Sequence, residues 1–534
     1  MDSFRRDFLK LAGAGLAGTV VTLTPGSNAE AAITSANDAS SVYDVRQYGA
    51  KGNGITIDST AINAAIEAAA AAGGGIVRFP AGVYASYSIR LKSYVALYLE
   101  QGATILAAGT PLEGSIDGYD PAGPPQPWES YQDYGHNHWH NSLIWGEDLH
   151  DIAILGPGLI WGKGLSRGLS DKDIVRAEKP GAGNKAIALK NCRNVILRDF
   201  SILAGGHFGI LATGVDNFTI DNLKIDTNRD GMDIDCCRNV RVSNCSVNSP
   251  WDDGICPKSS FALGYARATE NVTITNCYVT GGYQLGTMLD GTFKRHPPEF
   301  KVVPTGRIKC GTESNGGFKN ITISNCVFES CRGFALETVD GAILEDITFI
   351  GITMRDIRNS PLFLRLGTRM RGPTGVPVGV LRRVLIANVT CHGAVAELPS
   401  IISGVSGHAV EDIKIGDVYF HQLGGGTKEM AELQPVEKPN DYPEPRNFGT
   451  LPSHGFYLRH VKNIDFSNVE IACEKPDARP AFWMQDVERA DLFRVKINNA
   501  QSLIFRLQEV KDFRVFGSRT IKDRVEDKVE SAEF

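Results

Sequence analysis

A ten-residue phrase that keeps returning constrains this chain more than any other feature. It reads polar, Asn or Asp, apolar, any, apolar, any, polar, and closes on a further apolar position. "RNVILRDFSI" starts at Arg193, "DNFTIDNLKI" at Asp216, "RNVRVSNCSV" at Arg238, "ENVTITNCYV" at Glu270 and "KNITISNCVF" at Lys319. "EDITFIGITM" from Glu345, "EDIKIGDVYF" from Glu411 and "KNIDFSNVEI" from Lys462 continue the series. The first starts are 23 and 22 residues apart, and later intervals lengthen as if loops were inserted. The apolar/polar alternation reads as a half-buried strand, and the Asn or Asp at its entry supplies turn chemistry. A strand-and-turn unit this short cannot bury its apolar face alone, whereas stacked copies can. An antiparallel sandwich would not return the same side-chain type to the same place in every unit. The expected fold is therefore all-β, a single-stranded right-handed parallel β-helix.

The ends differ from the middle. Asp58-Ser59 opens an Ala-rich helix that Gly73-Gly74-Gly75 stops. Such a helix would cap the open end of a solenoid, where unpaired strand edges invite aggregation. Residues 110–149, rich in Pro, aromatics and His, read as a long surface loop, and "KEMAELQPVEKPNDYPEPRNFG" as a second. One domain is expected over 42–534, with 42–110 forming the cap and first coils.

Arg5 and Arg6 precede "DFLK" and a weakly apolar run too short to span a bilayer, and Ala29-Glu30-Ala31 fits a cleavage site. Residues 1–31 thus resemble a twin-arginine export signal, with 32–41 a linker. The expected partner during export is the twin-arginine machinery, the destination is the periplasm or the exterior, and no membrane insertion of the mature form is expected.

The net charge of −6 gives no basic excess for nucleic acid or an anionic membrane, so a polyanionic substrate must be held by a local cationic site. Four of the eleven cysteines (Cys192, Cys245, Cys277 and Cys326) recur at one place in the phrase. That pattern suits small buried hydrophobes better than bridges. Cys236-Cys237 lack zinc spacing, and His136, His138 and His140 alternate on a loop, so no metal or cofactor is expected.

Chemistry concentrates in two places. Asn228, Asp230 and Asp233 cluster around Gly231, and Asp252-Asp253 lie a repeat later: Asp230 to Asp252 is 22 residues, one of the repeat intervals. On adjacent coils, about 4.8 Å apart, Asp230, Asp252 and Asp253 would converge. Glycoside hydrolysis needs a carboxylic acid and a carboxylate, and crowded carboxylates raise one another's pKa. An Asp-rich turn or a calcium site would use the same residues. Arg307 and Lys309, two apart on a strand, point to one side and could hold a carboxylate, as could an ordinary solvated face.

Together, Asn228-x-Asp230-Gly231, Asp252-Asp253-Gly254 and Arg307-Ile308-Lys309 on a β-helix repeat resemble glycoside hydrolase family 28, the polygalacturonases, rhamnogalacturonases and related exo-acting pectin hydrolases. The opening "YDVRQYGAKGNGITIDSTAINAAI" is similar to that of pectinase β-helices. The resemblance implies inverting hydrolysis of a pectic polysaccharide or oligosaccharide without a cofactor. It gives Asp252 as general acid, Asp230 and Asp253 as holders of the water, and Arg307 and Lys309 as binders of the substrate carboxylate. Asn228 and Lys258 join the substrate-binding set. The family's usual Gly-His-Gly is replaced by "VTGGYQLGTMLDGT", with Tyr283 or Gln284 near where the His would stand. Arg229 replaces a common Thr. The insertion 119–145 would wall off one end of the cleft and favour exo attack. The alternatives are a calcium-dependent β-helix lyase and a non-catalytic carbohydrate-binding solenoid.

Overall fold

The computed structural model describes residues 41–111, 117–166, 177–295, 304–500 and 503–534. The signal and linker expected over 1–41 lie almost wholly outside them. From Ser41 to Phe534 the chain is one compact unit. No helix among the described residues is long and apolar enough to cross a membrane.

The architecture is the expected parallel β-helix. The phrase starts stack in register: Arg193 pairs with Asp216, Asp216 with Arg238, Arg238 with Glu270, Glu270 with Lys319, and Lys319 with Glu345. Four further coils join the same column, entering at His150, Arg382, Glu488 and Lys511. The phrase is not one strand, however. "RNVILRDFSI" divides into Arg193–Arg198 and Ser201–Leu203, with Asp199 between them at φ 75°.

The phrase's Asn has a physical cause. Asn194, Asn217, Asn239, Asn271 and Asn320 all occupy the left-handed region, with φ between 52° and 59°, which Asn tolerates better than most residues. Each also donates through Nδ2 to the Oδ1 of its neighbour one coil back: Asn217 to Asn194 at 3.0 Å, Asn239 to Asn217 at 3.2 Å, Asn271 to Asn239 at 3.1 Å and Asn320 to Asn271 at 3.1 Å. Apolar positions of the phrase fill the interior: Val195, Leu197, Phe218, Ile220, Val240 and Val242 are buried in one continuous core. The four phrase cysteines are buried there too, and all eleven cysteines are free thiols.

The helix Ser59–Ala71 packs Ile62, Ala65, Ile66 and Ala69 against the first coils. Asp58 stands at its N-cap position without capping it: its carboxylate accepts from Lys51 N–H at 2.7 Å and Gly52 N–H at 3.0 Å. At the other end Arg524–Glu533 returns antiparallel on Phe505–Phe516, covering the last rung with a strand of mostly exposed, charged side chains, a standard way of blunting an edge.

The loop expected over 110–149 ends sooner. Ser142–Glu147 is a coil strand, paired with Lys185–Lys190, because Leu143 and Ile144 belong to the core. The excursion is also not a surface loop throughout, since His136, Asn137, His138 and Trp139 are buried. A second sheet, six parallel strands, runs from Ile89–Arg90 through Ser142–Glu147, Lys185–Lys190, Phe208–Thr213 and Asp230–Asp235 to Ile255–Lys258. Its last strands carry the site.

Candidate active site

Asp230 opens the strand Asp230–Asp235, whose Met232 and Ile234 point into the core. Asp233 and Asp235, alternating with them, project outward. On the next coil Met232 faces Ile255, an offset of 23 residues rather than 22. Gly231 N–H accordingly donates to Asp253 O at 2.9 Å, so Asp253, not Asp252, aligns with Asp230, and Asp252 sits one position earlier in the turn. The three carboxylates still converge: one oxygen from each of Asp230, Asp252 and Asp253 lies within 4.8 Å of the others. A Cβ on Gly231 would meet Gly254 O at 2.4 Å, so the close stacking of these rungs needs glycine there.

The three carboxylates have different surroundings. Asp253, 1% exposed, accepts from Arg307 Nε at 2.9 Å and is salt-bridged to Lys309. Burial alone would raise its pKa, but Lys309 and then Arg307 outweigh it and hold the carboxyl well below the usual range. Asp230, 3% exposed, has no such cation in contact, and its Oδ1 has no hydrogen-bond partner. Burial, then Asp233 and Asp252, push it well above the ordinary carboxylate range. Asp252 keeps a quarter of its side chain (26%) exposed and accepts from Arg229 Nη2 at 2.7 Å. The pattern is that of an acid/base site: neighbouring carboxyls whose environments drive their protonation apart.

Arg307 and Lys309 do point to one side, as their spacing requires, but that side is interior. Each is 2% exposed and bound to Asp253, with Glu337 3.5 Å beyond Arg307 Nη2. They are therefore not open to a substrate carboxylate in this state, because Asp253 on the adjacent rung is the nearer anion. Lys258 is likewise buried, 3.0 Å from Glu313 and 3.8 Å from Asp233. Asn228 lies at the rim beside Trp251, whose N–H donates to Asn228 O at 3.0 Å. Tyr283 belongs to a short hairpin of Tyr283–Leu285 with Lys294–Arg295. Its hydroxyl meets Glu329 at 3.3 Å and its ring packs on Phe293. It is tied to that hairpin rather than to the carboxylates, and the side chain of Gln284 lies outside the described residues.

Several groups at the site carry no motif signal. Arg229 reaches Asp252, His136 reaches Asp233, and Tyr442 arrives from the second long loop, its hydroxyl 3.0 Å from Thr312 Oγ1. The second loop and the excursion stand far from the Asp motifs in sequence, so only the coil register brings them in. A cavity of about 780 Å³ lined by Tyr87, Arg90, Asp120 and Lys179 lies elsewhere, against the Ile89–Arg90 strand, four strands from Asp230 in its sheet.

The fold defines a parallel β-helix protein, and comparison finds similar proteins. Residues 42–256 match the family model described as rhamnogalacturonase A/epimerase, pectate lyase-like. The relatives that match it along most of its length are named as polygalacturonases. It is 27% identical over 436 residues to the exo-poly-alpha-D-galacturonosidase of Dickeya chrysanthemi, covering 72% of this chain and 67% of that one. It is 22% identical over 435 residues to a probable polygalacturonase of Vitis vinifera, covering 76% and 80%. The solved family 28 exopolygalacturonase of Yersinia enterocolitica superposes with a TM-score of 0.61 at 18% identity, over 88% of this chain and 77% of that one. That likeness shows the shared fold.

Proposed function

We propose that the protein is a glycoside hydrolase of the polygalacturonase kind, releasing sugars from the end of a pectic chain with inversion of configuration. The observation that carries this reading is the meeting of Asp230, Asp252 and Asp253 within 4.8 Å, one carboxyl held ionised and another pushed towards its acid form. Galacturonide substrates follow from the names of the relatives.

In this mechanism the cluster shares a proton, which rests on Asp230. Asp252, the most exposed of the three, takes that proton from Asp230 and passes it to the glycosidic oxygen. Asp253, fixed as a carboxylate by Arg307 and Lys309, takes the proton of the attacking water, which Asp230 and Asp253 hold together. The carboxylates stand closer than the roughly 6.5–9.5 Å usual for inverting pairs, so the water is held on one side of the cluster rather than between an acid and a distant base. Arg307 and Lys309 act first on Asp253, and binding of a uronate carboxylate requires them to share it. Asn228 at the rim and Gln284 complete the substrate-binding set, which Lys258, buried beside Asp233 and Glu313, and Tyr283, held by Glu329 and Phe293, join only by leaving those partners.

End-on attack is supported by the excursion 117–141. It packs along the site's flank, Trp128 Nε1 donating to Ala262 O at 3.2 Å and His136 reaching Asp233. Residues 1–31 are read as a twin-arginine signal directing export to the periplasm or exterior.

Asp252→Asn tests the assignment. Turnover should fall at least about 100-fold, as for a lost general acid, while oligogalacturonate binding persists. Undiminished turnover would overturn the roles given to this cluster.

A further inference from the structure

The excursion 117–141 also brings a histidine to the site. It buries His136, 4% exposed, between two carboxylates. Nδ1 lies 2.6 Å from Asp133 Oδ1, and Nε2 lies 3.2 Å from Asp233 Oδ2. A neutral imidazole has a single N–H and can donate to only one of them; an imidazolium donates to both. Asp133 is anchored from its other oxygen by His207 Nε2 at 3.1 Å. The His136 ring also packs edge-on against Phe208, centroids 4.8 Å apart, and Phe208 is the rung neighbour of Asp230. His136 is therefore held firmly beside the catalytic coil, though it comes from a segment about a hundred residues earlier.

The charged groups around it come from several elements. Asp133 belongs to its own segment and His207 to the approach of the Phe208–Thr213 strand. Asp233, with Asp230 behind it, belongs to Asp230–Asp235. Lys258 comes from Ile255–Lys258, and Glu313 from the following coil. Two of these, Asp133 and Asp233, touch the ring nitrogens directly. Burial opposes the imidazolium, but Asp133 and the Asp233 hydrogen bond outweigh it and hold His136 well above its ordinary range.

We propose that His136 is a positioning residue of the active site: as an imidazolium clamped between Asp133 and Asp233, it keeps Asp233 a carboxylate and so leaves the shared proton of the cluster on Asp230. The site thereby gains a histidine cation from the excursion, where the segment 281–286 supplies none. The proposal rests on the reading of Asp230, Asp252 and Asp253 as the acid/base set. Without the cation, Asp233 and Asp230 bind protons more tightly, because a carboxylate pair that loses a neighbouring positive charge is harder to ionise.

Two measurements test it. In His136→Asn and in Asp133→Asn, the alkaline limb of the kcat profile on an oligogalacturonate should move to higher pH by about one unit, with kcat reduced and KM little changed. Loss of activity at every pH with an unmoved limb would mean that His136 only supports the fold, and would overturn the proposal. Nitrogen-15 NMR of the unmutated protein, with His136 assigned by its loss in His136→Gln, should show an imidazolium persisting at pH 8. A neutral His136 at pH 7 would overturn it equally. If the His136 variants do not fold, Asp133→Asn decides. Full turnover in Asp252→Asn would instead sink the functional reading, while the NMR result would still decide the charge on His136.

Discussion

Lys309→Met probes the centre of the site, the buried ion group of Asp253 with Arg307 and Lys309. All three side chains are nearly inaccessible, and Asp253 accepts from Arg307 at 2.9 Å while Lys309 contacts its other oxygen. Breaking a buried pair from one side costs about 3–5 kcal/mol, because the surviving charge is left partly uncompensated. Lys309→Met and Asp253→Asn should each lose about that much in urea denaturation at pH 7. The double variant should lose clearly less than the sum, with a coupling energy of about 2 kcal/mol or more. The catalytic counterpart follows from Coulomb's law. A charge at about 4 Å in an effective dielectric near 20 is worth about 4 kcal/mol, an upper bound of about three pKa units. Arg307 stays in place, so the Asp253 carboxyl of Lys309→Met should rise by about one to two units. Asp253 must be ionised to take a proton from water, so the acid limb of the kcat profile moves up by the same amount. Strict additivity in the cycle, or an acid limb that does not move, would refute the claim that Lys309 serves Asp253.

Lys185 is fully buried, its Nζ has no hydrogen-bond partner, and burial pushes its pKa down to about 7. The unfolded chain binds this proton up to about pH 10.4, so the folded state pays a penalty on the order of 4 kcal/mol below pH 7 that fades as the pH rises towards 10. Lys185→Met should therefore stabilise the protein in denaturant titrations, more at pH 6 than at pH 9; destabilisation at pH 6 would reveal an ion partner. The oxygens of Asp230, Asp252 and Asp253 are close enough together to ligate a cation, as the calcium-dependent lyase would require. Hydrolysis should survive exhaustive chelation with no unsaturated product absorbing in the ultraviolet, and chelator-sensitive formation of such a product would reverse the assignment.

The coil architecture was legible because the backbone demands it at each turn. A left-handed residue opens every phrase, and Asn or Asp fills it in most, so the repeat is written in the sequence. The signal is hidden in two of the four further coils, where another residue takes that conformation: Arg383 at φ 54° and Arg489 at φ 62° open the coils of Arg382 and Glu488, whereas Asp151 and Asp512 keep it in those of His150 and Lys511. The convergence of the three Asp side chains followed from the repeat length, but the pairing was off by one residue, since the turn before Ile255 adds a position that periodicity alone does not reveal. The burial of Arg307 and Lys309 was not legible either. An R-x-K spacing fixes which side two residues share, not whether that side meets solvent or an Asp on the next rung. His136 and Tyr442 come from irregular segments, where sequence gives composition without placement.

The stereochemistry of the first product tests the central claim most directly. Fresh hydrolysis of an oligogalacturonate, followed by proton NMR before mutarotation, should show the newly formed reducing end in the inverted anomeric configuration, as direct attack by a water held on Asp230 and Asp253 requires. Carboxylates within 4.8 Å of one another are as close as those of retaining enzymes, which stand about 5–5.5 Å apart. A product of retained configuration would therefore mean that one of these aspartates is a nucleophile, and would contradict the mechanism outright.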